Sequence, residues 1–161
     1  MKLNNPGILD GSVTHAKLAH AYCVCRVTAA TVVPTGIQTP LAWALEDTDT
    51  ADLHDTVINN SRITVPTGYS LIRLSTLVSA VPTANGTERI RFRKNGADFN
   101  GGCNHSRPCL VGDSQPSLAL TTGWLTCVAG DYFEVFAIQL TGVDMNMANS
   151  TNDFFAAELW K

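Results

Sequence analysis

The segment from Gly130 to Leu140, GDYFEVFAIQL, is apolar on both faces of an extended strand. Alternate residues of a strand point to opposite sides. Phe133, Val135 and Ala137 therefore form one row, and Tyr132, Phe136, Ile138 and Leu140 form the other, interrupted by Glu134. A small sheet domain has one interior and buries one such row, so the second row needs another apolar surface, most directly a further copy of the same chain. The strand predicts an oligomeric β protein with Tyr132, Phe136, Ile138 and Leu140 at the subunit interface.

A chain of 161 residues fits one domain, and a hydrophobic content of 45% supplies a real core. Charged residues make up 16% and the formal net charge is -3, which leaves much neutral surface for an interface and gives no footing for nucleic acid. No apolar run approaches the roughly 18 residues of a membrane-spanning helix. The N-terminus MKLNNPGILDGS lacks the apolar centre of a secretory signal, so synthesis in cytosol is expected.

The chain changes texture near residue 20. Residues 1–20 are polar and punctuated by Asn4, Asn5, Pro6, Gly7 and Gly11, an arm carrying a short apolar patch; residues 21–161 are short β-rich runs. Strands are expected near 22–33, 41–46, 62–65, 69–80, 89–94, 117–120, 124–128, 132–140 and 154–160. Turn signals separate them: PTG at Pro66, ANGT at Ala84, KNGA at Lys94 and AGD at Ala129. Many short strands without helical periodicity predict an all-β, antiparallel jelly-roll sandwich.

The candidate chemistry is sparse. Cys23, Cys25, Cys103, Cys109 and Cys127 are odd in number, and a one-residue spacing on a strand does not make a zinc knuckle; buried free thiols are the expectation. Cys103 and Cys109 in CNHSRPC would close a disulfide only in an oxidising setting. The acidic cluster Glu46, Asp47, Asp49, Asp52 and Asp55 suits calcium by ligand type but lacks the spacing of a calcium loop, so no metal or cofactor is assigned. His15, His20, His54 and His105 have no glycine-flanked nucleophile near them, and no catalytic residue is expected. On TERIRFRKNG, Ile90 and Phe92 point inward while Arg89, Arg91 and Arg93 project together, about 7 Å apart, in reach of phosphate or carboxylate on a surface glycan or a neighbour.

Three segments carry a resemblance. The run DTVINNSRITVPTGYSLIRLST (55–76), the run LTCVAGDYFEVFAIQLTG (125–142) and the closing FFAAEL (154–159) resemble, in order, the complement 1q and tumour necrosis factor-like jelly rolls. WALEDTD (43–49) followed by His54 and Asp55 looks like the phage and bacterial branch, and ILDGSVTHAKLA (8–19) is similar to units of phage fibre proteins. The resemblance implies a homotrimer, with the Gly-Asp strand lining its axis, on the surface of a phage-like virion. The arm would attach it to a capsid or tail protein through Ile8, Val13 and Leu18. An arm of about 20 residues suggests a knob seated directly on a particle, a decoration protein or a short head or tail fibre, rather than a long fibre. Host contact would fall on His105 and Arg107 in the loop 100–112 and on Arg89, Arg91 and Arg93, with a host glycan as candidate partner. The alternative is a bacterial carbohydrate-binding adhesion module.

Overall fold

The computed structural model describes residues 20–161. Those residues form thirteen strands and no helix: β1 (His20–Arg26), β2 (Thr31–Val33), β3 (Thr39–Pro40), β4 (Leu45–Asp49), β5 (Arg62–Thr64), β6 (Leu71–Val81), β7 (Gly86–Lys94), β8 (Asn104–Cys109), β9 (Ser117–Thr121), β10 (Leu125–Thr126), β11 (Tyr132–Gln139), β12 (Met145–Met147) and β13 (Phe154–Trp160).

They make two antiparallel sheets. The larger runs β2-β12-β6-β13-β1-β4, with β9 and β10 on the other side of β6; the smaller runs β3-β11-β7-β8, with β5 also on β11. Period-two alternation decides what fills the gap between them. Cys23 and Cys25 of β1, Ile72, Leu74 and Val78 of β6, and Phe155, Ala157 and Leu159 of β13 face Ile90 and Phe92 of β7 and Phe133, Val135 and Ala137 of β11, all buried. Phe155 is the hinge of this core, with its ring centroid 5.9 Å from those of both Trp43 and Phe92.

Turn chemistry fixes the registers. In KNGA, Asn95 (φ 52°) and Gly96 (φ 74°) are both left-handed, as a two-residue hairpin requires. The glycine of ANGT has another role: Gly86 opens β7, and a Cβ there would lie 2.3 Å from the carbonyl oxygen of Leu140. Asp131 of AGD is a buried anchor between two turns. It accepts from the Val128 amide at 2.9 Å and from Asn95 Nδ2 at 2.9 Å, and pairs with Lys94 Nζ at 2.6 Å.

Several expected elements move. The run 22–33 is two strands, β1 and β2, broken at residues 27–30. The strand expected at 41–46 begins at Leu45; Leu41 and Trp43 ahead of it are buried in irregular chain, their amides donating to the carbonyls of Val135 and Asn60. The segment 100–112, expected as a loop, contains β8, and β3 and β12 were not foreseen. Pro108 sits in β8, which pairs with β7 alone, an edge position where a missing N–H is tolerated.

Candidate functional site

The outer face of the five-stranded sheet carries the arginine row. Arg89, Arg91 and Arg93 project from β7 opposite Ile138, Phe136 and Glu134 of β11. Guanidinium groups roof the aromatic rings of that face: Arg93 lies 4.5 Å from the Phe136 centroid and Arg62 lies 4.1 Å from that of Tyr132. Arg91 and Arg93 share Asp98, at 2.7 and 3.1 Å, and these two contacts hold its carboxyl below the ordinary range. Glu134, 4% exposed, accepts from Ser61 Oγ at 2.8 Å and lies 3.3 Å from Arg62 Nε. Arg89 has no ion pair among the described residues. Tyr132, Phe136 and Ile138 are half-buried within one chain and Leu140 is exposed just past β11, so the row is not the bare stripe that its sequence suggests.

His105 and Arg107 lie on the inward side of β8, not on an open loop. His105 Nδ1 sits 3.3 Å from the Ala119 amide and 3.2 Å from its carbonyl, pinning the small sheet to β9 of the large one. Arg107 reaches Glu88, whose side chain is wholly buried, with Nε 3.2 Å from Oε1, and Asp113 with Nη2 3.0 Å from Oδ2. The Nε–H itself is directed at the Pro108 carbonyl at 3.0 Å, so the Glu88 carboxyl has charge nearby but no directed hydrogen bond. Burial pushes its pKa up to about 7, with Arg107 opposing and Asp113 adding to the rise. Both cysteines of CNHSRPC are free. The extended β8 separates them by about 20 Å, beyond any disulfide.

The acidic segment serves its own loop. Asp49 accepts from the amides of Ala51 and His54, and Asp55 accepts from those of Val57 and Ile58, which lower its pKa. Asp47 pairs with Arg26 at 2.6 Å. The His54 side chain is buried, with Nδ1 2.9 Å from Glu46 and Nε2 3.1 Å from the Asn60 carbonyl. No cluster suited to a metal ion occurs among the described residues. Cys23 and Cys25 lie on one face of β1 as expected, their sulfurs 3.3 Å apart in the core.

The most exposed aromatic surface lies on the outer face of the eight-stranded sheet, where sequence reasoning did not place an interface. His20 stacks against Tyr22 at 5.7 Å and meets Trp160 at a tilt at 4.9 Å, and Trp124 meets Trp160 edge-on at 6.4 Å. Tyr22, Trp124 and Trp160 are 41%, 47% and 37% exposed. Beside them a shallow depression of about 310 Å³ is floored by Val24, Ser75 and Ala156 and rimmed by Arg73 and Glu158. The signal was present in HAYCVCR, where an aromatic alternates with two core cysteines. The anchoring residues Ile8, Val13 and Leu18, and His15, lie outside the described residues.

No family model matches the sequence, and no curated protein matches it. Solved structures do. A crystal structure of murine APRIL at pH 5.0 is similar over 89% of this chain and 100% of that chain, with a TM-score of 0.64 and 12% identity. A TNF structure, Eiger from S. frugiperda, is similar over 89% of this chain and 92% of that one, with a TM-score of 0.56 and 13% identity. The chain has a TNF-like jelly-roll fold. At such identities the likeness is one of fold.

Proposed function

We propose that the chain is a non-enzymatic, self-associating knob on the surface of a phage-like particle, made in the host cytoplasm and attached to a capsid or tail protein by its N-terminal arm. The observation that carries self-association is the aromatic cluster of His20, Tyr22, Trp124 and Trp160 on an open sheet face. Large exposed aromatics held together at one site are what an interface buries. We therefore place the contact there rather than along the β11 row, whose rings Arg62 and Arg93 already cover. The number three comes from the resemblance to the trimeric jelly rolls. The described histidines support a non-enzymatic reading: His54 is enclosed between Glu46 and Asn60, His105 bridges to β9, and His20 packs against Trp160.

The particle role rests on the likeness of residues 8–19 to phage fibre units. Deleting residues 1–19 is expected to leave the thermal transition of the knob nearly unchanged and to abolish cosedimentation with purified particles. A truncated protein that still decorated particles at full occupancy would refute the anchoring role. Binding of the full chain to whole cells but not to particles would favour the bacterial adhesion module instead.

A further inference from the structure

We infer that the cavity between the loop 50–61 and the outer face of β5 and β11 is a binding site for a neutral saccharide. The inference rests on reading the chain as a binding protein, not on its place in a particle. The cavity holds about 450 Å³ and is lined by Asp52, Asp55, Ile58, Asn59, Arg62, Thr64 and Tyr132, with Leu53 and His54 behind them. That volume falls within the roughly 300–1,000 Å³ usual for small-ligand sites.

The loop is fixed before any ligand arrives. Asp49 and Asp55 hold its amides, the Thr64 amide donates to the Leu53 carbonyl at 2.7 Å, and the Arg62 amide donates to that of Asn59 at 3.0 Å. Two non-glycine residues on it are left-handed, Asp52 (φ 53°) and Asn59 (φ 57°), the short polar types that tolerate this conformation. Their side chains and the Thr64 hydroxyl make no hydrogen bond among the described residues, while Arg62 spends Nε on Glu134 and keeps its terminal nitrogens. His54 offers nothing free, since both ring nitrogens are engaged.

The cavity therefore presents acceptors and donors side by side, the pattern that vicinal hydroxyls satisfy. Ile58, 67% exposed, supplies an apolar contact at its lip. Two carboxylates against one guanidinium disfavour an anionic ligand, and no stacked basic row enters the cavity to hold a phosphate chain.

The test is saturation-transfer NMR on the full chain with glucose, galactose, mannose and N-acetylglucosamine at millimolar concentration, with glucuronate as the anionic comparison. At least one neutral pyranose is expected to show transfer. The double variant Asp52→Gly, Asn59→Gly keeps the left-handed backbone and removes both polar groups, so it is expected to bind at least about tenfold more weakly with an unchanged melting profile. No transfer from any neutral sugar, transfer unaffected by the double variant, or preference for glucuronate would overturn the assignment. Light scattering on the same samples reports self-association separately, so the site fails without the knob failing, and the reverse.

Discussion

Glu88→Gln is expected to stabilise the protein above neutral pH. Glu88 faces the core from β7, its side chain fully buried, and its carboxyl finds the Arg107 guanidinium at 3.2 Å without a directed hydrogen bond. Burial raises its pKa from 4.5 to about 7, so the fold disfavours the ionised form. The native contribution is intact below pH 4.5 and is lost as pH rises through about 7. Over that interval, at about 1.4 kcal/mol per pH unit, the loss is roughly 3 kcal/mol. Glutamine keeps the shape and cannot ionise, but it weakens the attraction to Arg107, at a cost of about 1 kcal/mol. The variant should therefore exceed the native protein by about 2 kcal/mol at pH 8.5, or about 4–8 °C in melting temperature for a domain of this size. At pH 4.5 the variant should be the less stable of the two by about 1 kcal/mol. Thermal scans of both proteins from pH 4.5 to 8.5 measure the difference directly, and other titrating groups cancel in it. A difference that does not grow with pH, or a variant less stable than native at pH 8.5, would refute the reasoning.

Asp131→Ala should cost roughly 3 kcal/mol at neutral pH, because it strands Lys94, Asn95 and the Val128 amide. Burial resists ionisation of Asp131, but these partners outweigh it and lower its pKa below 3.8, so the deficit should be present at neutral pH and shrink on acidification through the carboxylate range; a deficit constant down to pH 2 would contradict this. All five cysteines should titrate as thiols after denaturation without reductant, while Cys23 and Cys25 resist alkylation in the native state; a peptide map showing a Cys103–Cys109 disulfide would contradict the β8 geometry.

What was legible in the sequence was what alternation and turn chemistry encode. The strand at 154–160 has the bounds that its pattern predicts, and the double-sided strand at 132–140 became β11 with Phe133, Val135 and Ala137 inward. β8 was missed because its inward residues His105 and Arg107 are polar and carry no hydrophobic period; they face buried Glu88 and the Ala119 backbone, which sequence separation hides. Leu41 and Trp43 mimicked a strand because burial, not pairing, put apolar residues at alternate positions. Nothing in the order of residues tells that Arg62 and Arg93 fold back over Tyr132 and Phe136, so the cover on the outer row of β11 was not legible. The saccharide cavity was illegible for the same reason, since its lining comes from a loop and two strands that meet only in the fold.

Self-association through the eight-stranded sheet is the claim on which the account depends most, and multi-angle light scattering at micromolar concentration tests it most directly. The wild-type chain is expected to run as a species of three times 17.3 kDa. The double variant Tyr22→Glu, Trp160→Glu, with both changes at exposed positions, is expected to run as a folded monomer. A monomeric wild type, or a double variant that remains a trimer, would contradict the account.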